Sequence, residues 1–350
     1  MMKKKWIALL LVLTLCVSAM TSLAAAGDPL ISLSYLRSTC KPQLSQSLLT
    51  TLYPASGSGR SASAQIVMDQ TRYKQGDVIQ ASTGCEIVVL AGTVTFNSAG
   101  TLIDATHGTE LSTGAALSTD SRYLVGEDTQ AALTVTSPTA VVSCNGAATV
   151  VKSTAPDYNA MADALKSLSL LQGTGTGFGS GYDLERKPTR VEAIVMFIRL
   201  LGEEDAALAC TAKQPFSDVA PWADRYVAYA CEKGYSNGAG GGKFASAREI
   251  TAKEYVEFVM RALKYSSTAH TDLSTTLNDA KNTGVLTAGE YQLLTSEPLL
   301  RAHVVYLSYY ALSTPVSGSS NTLEQQLISA GVFTEKSAAQ AHTLITTARL

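Results

Sequence analysis

The sequence predicts a multidomain chain: an all-β sandwich or barrel-like domain followed by an all-α bundle of three helical repeats. Three observations carry this expectation. Residues 65–152 are rich in Val, Thr, Ile, Ser and Gly and break into short runs divided by turn residues. From Asp157 onward the apolar residues return at helical spacing instead. Within that second part, matching cap-and-helix segments recur. The map that follows has a leader at 1–26, a helical or linker segment at 27–64, the β domain at 65–152 and the helical region at 153–350, with repeats near 155–203, 215–265 and 272–335.

The first segment reads as a secretory signal. Lys3, Lys4 and Lys5 precede an apolar run from Trp6 to Val17 that is short for a membrane span, and Ala24-Ala25-Ala26 supplies small residues for cleavage before Gly27. Leu15 stands where a lipobox ahead of Cys16 needs a small residue. No later stretch is apolar enough to span a bilayer, so a secreted product with no mature transmembrane segment is expected. Leu36 to Leu52 can hold a helix, with flexible chain from Ala55 to Ser63. Five cysteines follow the leader: Cys40, Cys85, Cys144, Cys210 and Cys231. Cys85 with Cys144, or Cys210 with Cys231, can pair if geometry allows; the reading adopted is of small buried hydrophobes.

In the β domain the expected strands are Asp77 to Ala81, Glu86 to Phe96, Thr101 to Asp104, Arg122 to Val125, Ala131 to Thr136, Thr139 to Ser143 and Ala147 to Val151. Gly100, Gly108, Gly114, Gly126 and Pro138 punctuate them, and Asn145-Gly146 between two apolar runs predicts a hairpin.

The helical region carries two capping boxes, Thr189-Arg190-Val191-Glu192 and Thr251-Ala252-Lys253-Glu254, whose starts lie 62 residues apart (251 − 189). An apolar stripe follows the first at Val191, Ile194, Val195, Ile198 and Leu201; Met161, Leu165 and Leu168 form another, as do Ala223, Tyr226, Val227 and Ala230. A third copy, Leu300-Arg301-Ala302-His303, has lost its cap Thr and Glu. Each of these helices follows a shorter one closed by Gly173, Gly234 or Gly284.

These motifs resemble the S-layer homology (SLH) family. Phe216-Ser217-Asp218-Val219 followed by Trp222-Ala223, Ala230 and Gly234 is similar to the opening of such a repeat, and Thr189-Arg190-Val191-Glu192 is similar to the family's Thr-Arg-Ala-Glu signature. The resemblance covers roughly residues 155 to 335. It implies a three-pronged helical module that anchors a protein non-covalently to the cell wall through secondary cell-wall polysaccharide, a peptidoglycan-linked glycan with pyruvylated sugars. On that reading Arg190 offers a charged fork to a ketal carboxylate, Trp222 a flat face to a sugar ring, Asp218 an acceptor for hydroxyls, and Arg301 a second arginine. Ala252 replaces the arginine in the second repeat. As structural residues, Trp222 would fill the core, Asp218 would cap a helix and Arg190 would be a solvated helix residue.

No catalytic or metal constellation is expected. His107, His270, His303 and His342 are scattered, and the glycine runs at 173–181 and 238–243 fit neither a dinucleotide fingerprint nor a phosphate loop. The net charge of −2 argues against nucleic-acid binding, and no cofactor motif is present. The expected protein is thus a non-enzymatic surface protein of the cell wall or S-layer. Two other readings stay open: a carbohydrate-active or ligand-binding protein working through Asp104, His107, Glu110, Asp120, Glu127 and Asp128, or degenerate repeats that bind a protein partner or self-associate.

Overall fold

In the β region ten strands form two antiparallel sheets. They are β1 (Thr71–Lys74), β2 (Val78–Ser82), β3 (Glu86–Ala91), β4 (Val94–Phe96), β5 (Leu102–Asp104), β6 (Thr109–Leu111), β7 (Arg122–Val125), β8 (Gln130–Val135), β9 (Thr139–Asn145) and β10 (Ala148–Val151). A computed structural model describes residues 69–350 apart from Thr176 and Thr268; the leader, the expected helix at 36–52 and Cys40 lie outside the described residues. One sheet has the order β1-β9-β3-β7-β5-β6 and the other β10-β2-β8-β4. Alternate residues turn inward, so Ile79, Ile87, Val89, Phe96, Leu102, Tyr123, Leu133 and Val142 make a dry core.

Two glycines set this topology. The run expected to be one strand from Glu86 to Phe96 is broken at Gly92, which has φ +82 and lies where a Cβ would come within 2.7 Å of the Ala140 Cα. Only glycine tolerates both demands, and the chain leaves one sheet there and enters the other. Gly146, at φ +135, does the same between β9 and β10. The expected Asn145-Gly146 hairpin is therefore corrected: β9 pairs with β1 and β3, while β10 pairs with β2. Local turn chemistry reports a reversal, but not which sheet receives the next strand.

The chain then becomes helical: α1 (Tyr158–Ser167), α2 (Arg190–Leu200), α3 (Glu204–Leu208), α4 (Asp224–Glu232), α5 (Ala252–Ala262), α6 (Thr276–Asn282), α7 (Ala288–Ser296), α8 (Arg301–Leu312), α9 (Leu323–Ser329) and α10 (Glu335–His342). All five residues of the stripe from Val191 to Leu201 are buried, as are Met161, Leu165 and Leu168. α1 packs against α8 and α10, so the first helix of the region is closed in by its last third. No helix among the described residues is long and apolar enough to cross a membrane.

The β and helical parts meet through side chains. Arg72 on β1 forms a bidentate pair with Asp163 on α1, at 3.1 and 2.7 Å, and Tyr182 donates to the same carboxylate at 2.9 Å. Asn159, buried on α1, donates to the Tyr73 carbonyl at 3.1 Å. Asp77 holds the connecting strand end, accepting from Lys74 and from the Ser153 N–H. Val67 to Leu350 accordingly form one compact unit.

This junction gives a direct test. Asp163→Asn should lower stability by about 1 kcal/mol, because the pair is part-exposed and screened by solvent. A double-mutant cycle with Arg72→Gln should show coupling that shrinks at high salt; additive effects of the two changes would mean that the pair holds nothing together.

Candidate functional site

The helical repeats interlock through their helix N-termini. The first N–H groups of a helix have no partner inside it. In α2 the Thr189 hydroxyl accepts from the Glu192 N–H and Glu192 accepts from the Thr189 N–H, a complete capping box. The remaining donors reach the neighbouring repeat: the Arg190 N–H meets the Arg248 carbonyl at 2.8 Å and the Val191 N–H meets that of Ser246 at 3.3 Å. α8 does the same one repeat away, the Arg301 N–H donating to the Arg186 carbonyl at 2.9 Å and the Ala302 N–H to that of Leu184 at 3.0 Å. At the corresponding place on α5, Ile250, Thr251, Ala252 and Lys253 face Glu297, Pro298 and Leu299 across a cleft of about 550 Å³.

The interface at Arg190 borders a highly charged cavity of about 440 Å³, lined by Arg190, Arg248, Arg261, Glu254, Glu257 and His270, with Phe258, Leu273 and the Ser236–Gly240 loop among its other walls. Arg190 is only 4% exposed. Its Nη1 donates to Glu254 Oε1 at 2.8 Å, and its Nη2 to Ser236 Oγ and the Gly238 carbonyl, both at 3.2 Å. Its guanidinium lies between the rings of Phe244 and Phe258, 5.1 and 5.3 Å from their centroids. Its Nε is buried with no hydrogen-bond partner among the described residues. Arg248 is the most accessible of the three arginines, with 44% of its side chain exposed. It also reaches Glu254, Nη1 to Oε2 at 3.1 Å. Arg261 donates through Nε to Glu257 at 2.9 Å and through Nη2 to the His270 carbonyl at 2.7 Å. Three guanidinium groups thus face two carboxylates, leaving a net positive cavity.

Burial by itself would raise the carboxyl pKa of Glu254. Hydrogen bonds from Arg248 and Thr251, with the charge of Arg190, outweigh it and hold the group below its ordinary range. Glu192 is the counterpart in the first repeat. Burial opposes ionisation, but Arg186 and the Thr189 N–H bring it down to about 2.

The four residues singled out by sequence do not converge. Arg190 lines the cavity, but it is a buried clamp between repeats and not the free fork at a helix mouth that its position after the cap suggested. Arg301 is equally buried; its Nε donates to the Tyr182 carbonyl at 3.0 Å and its Nη1 rests 3.3 Å from Met196 Sδ. Asp218 accepts from the Phe244 and Ala245 N–H groups, both at 2.8 Å, and so holds the loop whose Phe244 ring backs Arg190. Trp222 stands on a 3-10 turn, 59% exposed, and does not fill the core. Arg248, Arg261, Glu254, Glu257 and His270 were not identified as site residues. One signal was present: Arg186 and Arg248 each stand three places before a cap threonine, part of the same 62-residue repeat.

In the β domain the structure brings Asp104, His107 and Ser121 together. Both Asp104 Oδ2 (2.8 Å) and Ser121 Oγ (3.3 Å) meet the same ring nitrogen, Nδ1 of His107. A proton relay needs acid and nucleophile on opposite nitrogens, so the cluster serves the turn at Asp104, whose Oδ1 also accepts from the Thr106 and His107 N–H groups. Among the described residues no three His, Cys, Asp or Glu side chains converge as a metal site.

No family model matches the chain. It is similar to a cell surface protein of Thermoanaerobacter kivui, with 33% identity over 120 residues, which is 33% of this chain and 15% of that protein. The chain therefore matches only a small part of the relative's length.

The carboxylate geometry predicts a pH dependence. With a folded pKa of about 2 against an ordinary 4.5, Glu192 stabilises the fold fully above about pH 5, and this contribution is lost as pH falls toward 2. Thermal melts from pH 6 to pH 3 should show a falling midpoint, with a shallower fall in Glu192→Gln. Equal slopes would remove Glu192 from the acid response.

Proposed function

We propose that this chain is a non-catalytic cell-surface protein held on the wall by its helical repeats, which grip an acidic glycan in the manner of S-layer homology modules. The observation that carries the reading is the excess of guanidinium over carboxylate in the Arg190 cavity, at an interface whose backbone contacts recur where α8 meets the Arg186 loop. An acidic sugar such as a pyruvate ketal brings a carboxylate, and paired N–H donors in a partly dry cavity are what such a group binds best. Arg248, exposed at the rim, makes the first contact, and Arg190 and Arg261 supply the field behind it. Trp222 offers a separate flat surface on which a sugar ring can lie. The relative described as a cell surface protein supports a surface location, as does the secretory leader read from the sequence.

The three interfaces differ in what they can do. The Arg190 interface has both arginine and cavity. The Ala252 interface has a cavity with no signature arginine, and Arg301 is sealed against Tyr182 and Met196. One groove should therefore dominate binding.

Sedimentation of the full chain with purified wall sacculi, before and after removal of the acidic polysaccharide, tests this reading. Arg248→Gln should weaken retention about 10- to 100-fold, the loss of one charge-assisted contact worth roughly 1.5–3 kcal/mol. Arg190→Lys keeps the charge and loses the fork, so it should retain only part of the affinity. Arg301→Ala should alter stability more than retention. Unchanged retention in a folded Arg248→Gln, Arg190→Lys double variant would overturn the reading, and retention on stripped sacculi would favour a protein partner.

A further inference from the structure

Two cysteines meet at the corner where the chain crosses between sheets. In the β3–β9 ladder Ile87 stands opposite Cys144 and Glu86 opposite Asn145. Cys85, one residue ahead of β3, is therefore next to Gly146, and strand alternation turns it toward the same core face as Ile87 and Cys144. Cys85 belongs to the β core and Cys144 packs against that core, and both are free thiols in this structure. In a regular ladder a diagonal pair lies about 7–8 Å apart. Here the Ser82–Cys85 turn (Cys85 N–H to the Ser82 carbonyl, 3.0 Å) brings Cys85 out of the regular ladder. Glycine at 146 leaves the space open: a Cβ there would sit 3.2 Å from the Cys85 Cβ and 3.3 Å from its Sγ.

The other described cysteines are placed differently. Cys210 donates to Glu232 at 3.5 Å, and Cys231 is half-buried and feels the charge of Arg190. The two members of the β-domain pair also differ in access: Cys85 is 1% exposed, whereas Cys144 is half-buried at the end of the core.

We infer that Cys85 and Cys144 are a covalent modification site, oxidised to a disulfide that staples β3 to β9 once the protein is outside the reducing cytoplasm. The oxidant is a disulfide-bearing compound or oxidoreductase. The Cys144 thiolate attacks one oxidant sulfur, forming a mixed disulfide and releasing the first oxidant thiolate. The Cys85 thiolate then attacks Cys144 Sγ, closing the bond and releasing the second. Two electrons pass to the oxidant, which leaves as two thiols, and each cysteine gives up one proton. Burial raises both thiols in the folded domain, Cys144 to about 12, so the pair is a poor sensor of passing oxidants and exchange belongs to folding, before the corner closes. The bond spans 59 positions (144 − 85), enclosing β3 to β8 and most of β9, and a loop of this length gives a disulfide a large effect on the unfolded chain.

The test uses the full chain, unfolded under reducing conditions and refolded with a mixture of oxidised and reduced glutathione. Non-reducing peptide mapping should return a Cys85–Cys144 cross-linked peptide two hydrogen masses below the sum of its parts. Adding dithiothreitol should lower the β-domain melting midpoint by roughly 5 °C or more. Cys85→Ala and Cys144→Ala, separately, should abolish both the peptide and the dithiothreitol response. Because these variants also alter the core, the wild-type map is the deciding measurement. Full alkylation of both cysteines after oxidative refolding, or a cross-link joining either to another cysteine, would overturn the proposal.

Discussion

The helical region depends on one recurring arrangement: the N-terminus of a helix in one repeat seated on the loop that leads into the next. α2 rests on Arg248 and Ser246, and α8 rests on Arg186 and Leu184. The physical constraint is the set of orphan N–H groups at a helix start, which must find acceptors if they are buried. The capping threonine satisfies one and the neighbouring repeat satisfies two. Packing one repeat on another therefore completes the starts of α2 and α8, and is not only a way to hide their apolar stripes. The glutamate of each capping box has a second task. Glu192 accepts both Arg186 guanidinium nitrogens, and Glu254 holds Arg248 and Arg190 together. Cap, loop and interface share one carboxylate.

That sharing explains why parts of the molecule could be read from sequence and others could not. The capping boxes, the buried stripes and the switch from strand to helix near Ser153 are local, and local chemistry is visible in a window of a few residues. The sheet topology is not. Gly92 and Gly146 look like ordinary turn or bulge signals, yet each moves the chain from one sheet to the other, because what matters is the backbone they approach across 48 positions (140 − 92) or 61 (146 − 85). β1 and β6 were missed for a similar reason: Thr71–Lys74 and Thr109–Leu111 are short edge strands with little apolar pattern, and they owe their form to β9 and β5. At the site, the signature arginine drew attention, while the carboxylates that define its role sit on the next repeat.

The worn third repeat shows how the arrangement tolerates change. His303 occupies the position of the box glutamate, and its Nδ1 accepts the Leu300 N–H at 3.2 Å. This requires a neutral ring, and burial provides it, lowering the histidine to about 4. The role of the glutamate as backbone acceptor survives; its role as a partner for arginine does not. The facing repeat carries Ala252 at the matching place on α5, so no signature arginine has to be neutralised there.

Arg190 then presents a contrast worth following to its end. A buried guanidinium costs several kcal/mol in lost hydration, and removing its partner typically costs about 3–5 kcal/mol more. Two aromatic faces, a carboxylate, a hydroxyl and a carbonyl compensate it, and its Nε is still left without a hydrogen-bond partner among the described residues. For stability alone, well-packed apolar residues of similar volume often serve as well as a buried ion pair. What the apolar residue cannot do is keep a positive charge fixed beside an open cavity without letting it collapse onto its own carboxylates. The aromatic walls fix the plane of the group, the loop from Ser236 to Gly238 holds its far side, and Glu254 is divided between two arginines and so neutralises neither fully. On the proposed reading, a fixed, incompletely neutralised cation with exposed Arg248 at its rim would be preorganised for an acidic sugar, since little reorganisation would remain to be done when one arrives.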